Sequence, residues 1–153
     1  MISSQTPEVS IATRWIDSIL KASLVERASD IHIEPKGKEM VTRFRIDGVM
    51  RTVNRQGIAY HESVISRLKV LADLNTVEKN IPQDGHIEVI LNMGDIKHEM
   101  GMGQRQEQLF NFRISVMPTV EGEAVVLRAL NREESVMSLE ELGLSSVSLE
   151  KLK

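Results

Sequence analysis

The side chains in this sequence best suited to chemistry are four histidines and a group of arginines. His32, His61, His86 and His98 show no His-x-x-x-His or carboxylate–histidine spacing of the kind that holds a metal on one helix face. His32 and Glu34 share a strand face at i, i+2, which two metal ligands can use. Cross-strand pairing explains them without a metal, because Arg43 and Arg45 stand ready to pair with Asp30 and Glu34 on the neighbouring strand. No metal site is therefore expected. His61-Glu62-Ser63 lacks the second histidine of a metalloprotease helix, and there is no Gly-x-Ser-x-Gly elbow. The absence of cysteine removes thiol catalysis, disulfides and thiolate zinc sites. Gly37-Lys38-Glu39 has no glycine five positions before Gly37, and Glu39 stands where a phosphate loop needs a hydroxyl. Gly101-Met102-Gly103 is an isolated Gly-x-Gly. An enzyme complete within these residues is not expected. What remains is Arg43, Arg45, Arg51, Arg113 and Arg128, all in segments that alternate like strands. A planar guanidinium on a rigid sheet is a preorganised clamp for a phosphoryl group bound elsewhere; the ordinary alternative is a solvated or ion-paired strand residue.

Positioning such groups requires a core. The chain has 153 residues, 41% hydrophobic but only 3% aromatic, so aliphatic side chains and eight methionines must fill the interior. That length suits one domain, with at most a linker, burying about 70% of the unfolded surface. The 19 Lys+Arg against 22 Asp+Glu give a net charge of -3, which excludes the basic footprint of a dedicated nucleic-acid binder and an acidic disordered tail. The apolar run Ala124-Val125-Val126-Leu127 is cut by Arg128, far short of the roughly 18 residues of a membrane span. The start, Met1-Ile2-Ser3-Ser4-Gln5-Thr6-Pro7, lacks the features of a secretory signal. The chain is expected to be cytoplasmic, without a span of its own, and both its ends read as cut rather than finished.

Thr6 as N-cap and Pro7 at the first helical position predict a helix whose apolar stripe is Ile11, Ala12, Trp15, Ile16, Ile19 and Leu20, with Trp15 in the core. From Asp30 the period becomes two: Asp30-Ile31-His32-Ile33-Glu34 is a strand, and Lys36-Gly37-Lys38 a turn. Thr42, Phe44 and Ile46 then face one way, and Val41, Arg43 and Arg45 the other. Asp47-Gly48 signals a type I′ hairpin, with a return strand over about 49–53. A second helix is expected over about 59–74, with Val64, Leu68, Leu71 and Ala72 on its stripe and Arg67 and Lys69 outside it. Asn80 to Gly85 reads as a break and turn, and 86–91 as a strand. Residues 92–106 have no usable period and read as a long, mobile hairpin connection. Phe110, Phe112, Ile114 and Val116 restore alternation, with Asn111, Arg113 and Ser115 on the other face. After a turn at 118–122, residues 123–130 form a strand apolar enough to be central. The sum is an α+β domain, an antiparallel sheet of about six strands with helices on one face.

Several ordered blocks resemble the GspE/PilB family, the hexameric ATPases of type II secretion and type IV pilus assembly. They are Ala28-Ser29-Asp30-Ile31-His32-Ile33-Glu34-Pro35; Arg43-Phe44-Arg45-Ile46-Asp47-Gly48-Val49; Ser66-Arg67-Leu68-Lys69-Val70 with Pro82-Gln83-Asp84-Gly85; Phe112-Arg113-Ile114-Ser115-Val116-Met117-Pro118-Thr119; and Gly122-Glu123 with Val125-Val126-Leu127-Arg128. Leu142-Gly143-Leu144 is similar to the family's entry into its motor domain.

The resemblance implies a fragment: residues 1–130 as the family's PAS-like N-terminal domain, and 131–153 as a linker and the start of an absent RecA-like ATPase domain. It implies that the parent binds ATP and Mg2+ and is an ATPase, while this fragment alone binds neither. It implies that the domain closes on the ATP-bound motor and contributes arginines to the phosphates. Arg113 matches such a position, with Arg128 either as its support in phosphate sensing or as part of an interface. His86 stands where the family usually has a second arginine and Asn80 where a basic residue is common, so phosphate sensing is expected to be weaker here, imidazole being mostly neutral near pH 7. Asp30, His32, Glu34, Arg43 and Arg45 are the implied subunit or interdomain interface. The implied partners are its own RecA-like domain, neighbouring subunits of a homo-hexamer, and an inner-membrane platform or adaptor protein. Two other functions stay open: a motor-less docking module that binds a partner protein without nucleotide, favoured by His86 and Asn80, and a small-molecule sensor on the same fold.

Overall fold

A computed structural model describes residues 10–92 and 107–130. In chain order these form α1 (Ile11–Val25), β1 (Asp30–Lys36), β2 (Glu39–Ile46), β3 (Val49–Gly57), a short 3-10 turn (Ile58–Tyr60), α2 (His61–Leu71), β4 (Gln83–Asn92), β5 (Glu107–Thr119) and β6 (Gly122–Ala129). The six strands make one sheet in the order β3-β2-β1-β6-β5-β4, antiparallel at each pairing. β1 and β6 lie at its centre, as expected of the most apolar strand. Two three-stranded meanders, one after each helix, therefore join along β1 and β6.

Alternation sets the two faces. Ile31, Ile33, Phe44, Ile87, Phe112, Ile114, Val116, Val125 and Leu127 are buried with Ile16, Ile19 and Leu20 of α1 and Val64, Ile65 and Leu68 of α2 in one cluster. Both helices thus cover the same sheet face. Trp15 packs against this cluster without being fully enclosed. The cap of α1 among the described residues is Ser10, whose Oγ accepts from the Thr13 amide at 3.2 Å; the expected Thr6–Pro7 start lies outside the described residues.

Both helices end by turning left-handed at a residue other than glycine, Arg27 (φ 54°) and Asp73 (φ 55°). The Leu74 amide donates back to the Lys69 carbonyl at 2.8 Å, and that of Asp73 to Val70 at 3.2 Å, the paired bonds of a Schellman ending. Helix α2 therefore stops at Leu71, earlier than the apolar pattern suggested. Asp47 (φ 49°) and Gly48 (φ 79°) make the I′ turn, and β3 continues past the expected end to Gly57 by way of a register shift at Thr42/Arg43.

Two expectations fail for identifiable reasons. Gln83, Asp84 and Gly85 belong to β4 rather than to a turn. A Cβ at Gly85 would lie 3.1 Å from the Ala72 carbonyl oxygen, so glycine here lets the strand pass beneath the end of α2. Lys69 is fully buried, with 1% exposure. Its Nζ lies 2.5 Å from Glu123 Oε1 and donates to the Glu78 carbonyl at 2.7 Å. The loop after α2 and the start of β6 close over a helix flank that periodicity alone assigns to solvent. The segment 92–106 falls outside the described residues from 93 onward, as do 131–153.

Candidate functional site: the bare sheet face

The sheet face turned away from the helices carries Asp30, His32, Glu34, Arg43, Arg45, His86, Arg113 and Arg128. Strand register aligns them in rows. One row runs Met50, Arg45, Asp30, Arg128, Arg113, His86 from β3 to β4. The next runs Thr52, Arg43, His32, Val126, Ser115, Asp84. Residues spread over about a hundred positions of sequence thus share one surface, because antiparallel pairing places directly opposed side chains on the same face.

The rows divide electrostatically. On the β1–β2 side, acids and bases neutralise one another. Arg43 Nη2 donates to both Glu34 oxygens at 2.6 and 2.7 Å. Asp30 Oδ1 accepts from Arg128 Nε at 2.9 Å, while its Oδ2 accepts from Ser29 Oγ at 2.9 Å and lies 3.5 Å from Arg45 Nε. The cross-strand pairs expected of Arg43 and Arg45 are therefore present. Burial raises the Asp30 pKa, but hydrogen bonds from Arg128 and Ser29 and the nearby positive charge outweigh it, and the carboxyl sits below its ordinary value. His32 lies 3.9 Å from Glu34. Burial pulls its pKa below the usual imidazole value, and the attraction of Glu34 and Asp30 opposes this only in part. Among the described residues no three histidine or acidic side chains converge as a metal group would require.

On the β5–β4 side the balance differs. Arg113 and Arg128 are directly opposed across β5 and β6, a like-charge pairing that costs stability unless an anion relieves it. They line, with Ser115 and Val126, an open hollow of about 300 Å³. Arg128 is held by Asp30, but Arg113 has no hydrogen bond or ion pair to any described residue. His86 is opposite Arg113 on β4 and exposed. The hollow is thus cationic and open to solvent. Arg51, also a sequence candidate, falls on the other parity, opposite the buried Phe44, and takes no part.

A second hollow, of about 290 Å³, lies at the start of α2 among His61, Glu62, Ser66, Lys79 and Thr119. Its charged groups are already engaged: Lys79 pairs with Glu62, and His61 Nε2 bonds the Glu123 carbonyl at 2.7 Å. Sequence reasoning missed this junction because its parts come from three separated segments.

Fold and face together define an α+β module with a charged sheet surface, and among the described residues no helix is long and apolar enough to cross a membrane. Comparison with known sequences gives it a family. A profile of the Type II/IV secretion system protein family matches residues 5–153, and the chain belongs to that family. It is 38% identical over 136 residues to the type IV pilus assembly ATPase PilB of Myxococcus xanthus, covering 89% of this chain and 22% of that protein. It is 38% identical over 140 residues to a putative type II secretion system protein E of Escherichia coli, covering 92% of this chain and 26% of that protein. The chain therefore spans about a quarter of the length of these relatives. Among solved structures, the Legionella pneumophila ATPase DotB superposes with a TM-score of 0.56 at 17% identity, over 92% of this chain and 35% of that one, a likeness of fold.

Proposed function

We propose that this chain is the nucleotide-sensing and assembly segment of a secretion or pilus-assembly ATPase. The carrying observation is the Arg113 guanidinium, unpaired among the described residues, opposed across the strands by a second arginine and facing an open hollow. Residues 1–130 act as the PAS-like N-terminal domain, and 131–153 lead into a RecA-like motor domain of the parent. ATP with Mg2+ on that motor supplies the concentrated negative charge, and Arg113, supported by Arg128 and His86, meets it. Contacts made in one nucleotide state and absent in the other bias the position of the domain, and cycling transmits that movement to protein export or pilus growth. The neutralised β1–β2 half of the face, Asp30, His32, Glu34, Arg43 and Arg45, serves the contact with the motor domain or a neighbouring subunit of a homo-hexamer. The assembly works in the cytoplasm on an inner-membrane platform or adaptor. The naming of the Myxococcus relative as a pilus assembly ATPase supports this reading.

The test is Arg113→Ala in the full-length parent. Arg113 is exposed, so the fold survives its loss, and ATP turnover is expected to fall by about ten-fold or more, as removal of a charge-stabilising donor does. Turnover within two-fold of the parent would retire the sensing role.

A further inference from the structure

Asp30 is the only acid in the row that holds Arg45, Arg128, Arg113 and His86. Three arginines thus share one carboxylate, and the two that flank it, Arg45 and Arg128, both reach it. Of the other acids of this face, Glu34 is bonded to Arg43 at 2.6 Å and Asp84 to the Ser115 hydroxyl at 2.5 Å, while Glu88, two residues from His86 on β4 and opposite Asn111, is exposed and lies outside this row. Asp30 is nearly sealed, at 5% exposure, whereas the Arg128 side chain is 67% exposed and bonded to it through Nε alone. The terminal nitrogens of Arg128 make no hydrogen bond with any described residue. Arg128 is therefore held lightly, at one atom, beside the hollow that it shares with Arg113.

We infer that Asp30 is a built-in counter-anion that competes with phosphate for Arg128. The inference rests on the reading of Arg113 as a phosphate contact and deepens it. With no phosphate present, Asp30 draws Arg128 toward β1 and keeps two guanidiniums from crowding the hollow. An incoming polyphosphate must take Arg128 over, and Asp30 Oδ1 then loses the only donor it has among the described residues, on a nearly buried carboxylate. That desolvation opposes binding. Asp30 thereby lowers the affinity of the site and returns Arg128 when the anion leaves. It acts as a positioning residue, through Arg128, and gives the arginine two discrete partners.

The experiment is calorimetric titration of the 153-residue chain with inorganic tripolyphosphate at low ionic strength, for the unaltered chain and for Asp30→Asn, Arg113→Ala and the Asp30→Asn/Arg128→Ala pair. Asp30→Asn keeps the shape and removes the competing charge; the affinity is expected to rise about three- to five-fold, the scale of an exposed ion pair. The double variant is expected to lose that gain, and Arg113→Ala to lose binding altogether. Binding lost in Arg113→Ala but unchanged in Asp30→Asn overturns the role of Asp30 and leaves the phosphate reading standing. A gain that survives loss of Arg128 overturns it too, since the effect would then be net charge alone. Binding unaffected by Arg113→Ala overturns the phosphate reading itself, and no binding by Asp30→Asn up to about 10 mM overturns the inference. A readout free of any folding defect in Asp30→Asn is the Arg128 Nε–H resonance in the unaltered chain, assigned by its loss in Arg128→Lys. It should shift and exchange faster with water on saturation with tripolyphosphate, and a resonance that stays fixed refutes the exchange of partners.

Discussion

Replacing Lys69 with methionine tests how the sheet is tied to the helices packed on it. Lys69 is 1% exposed, and Glu123, its partner at 2.5 Å, is 8% exposed. Methionine fills nearly the same length, so packing is largely kept and the change isolates the charge. What it leaves is a carboxylate in the interior with no cation, and a Glu78 carbonyl that keeps only the Gln83 amide at 3.3 Å. Breaking one side of a buried pair costs about 3–5 kcal/mol. For a domain of this size that corresponds to a fall in Tm of roughly 10–20 °C. Urea unfolding followed by the fluorescence of Trp15, the sole tryptophan, measures it directly. Lys69→Met/Glu123→Leu removes both charges and is expected to recover most of the loss, since an apolar replacement of a buried pair is often neutral. If Lys69→Met unfolds within about 1 kcal/mol of the parent chain, the pair is hydrated rather than buried and the reasoning fails. The consequence reaches the face: Glu123 is the second residue of β6, five residues before Arg128, and His61 of α2 bonds its backbone carbonyl at 2.7 Å.

His32 makes stability depend on pH. Its folded pKa lies below the ordinary 6.5, so the neutral form is preferred in the folded state. Its contribution is whole above that value and is lost as pH falls through the folded pKa, with a slope of at most ~1.4 kcal/mol per pH unit. His32→Gln should flatten the stability curve between about pH 7 and 5; an unchanged slope would assign the titration to another group. Asp73→Gly removes the left-handed strain at the end of α2 and should stabilise the chain by about 0.5–1 kcal/mol. A destabilised variant in urea unfolding would show that the aspartate side chain outweighs the backbone cost.

Much of the architecture was legible because its signals are local. Strict alternation in 30–34, 41–46 and 110–116 fixes which side chains share a face, and Asp47-Gly48 allows few turns but I′. What escaped depends on closure by distant segments. Lys69 reads as solvated because nothing near it in sequence announces Glu123, and Gly85 reads as a turn because its real constraint, the Ala72 carbonyl, comes from the end of a helix. The end of α2 was misplaced for a related reason: Asp73 occupies the left-handed position where glycine is the usual signal. The candidate site was legible residue by residue, as arginines on strands, but not as a row. Placing Arg128 between Asp30 and Arg113 requires the β1–β6 and β5–β6 registers, and β1 and β6 are separated by most of the chain.

That long-range pairing also explains why the two halves of the face differ. Within the first meander, Glu34 and Arg43 are close in sequence and directly bonded, so their charges are settled as soon as β1 and β2 pair. Arg128 and Asp30 are 98 positions apart, and meet only when the second meander docks along β1. Arg113 arrives on a strand whose neighbours in the row, Arg128 and His86, offer it no acid. Within this row a single carboxylate, Asp30 at the junction, stands beside Arg45 and Arg128 and does not reach Arg113. Arg113 is left on the β5–β4 side without an acid in its own row, on a side chain fixed to a sheet and open to solvent.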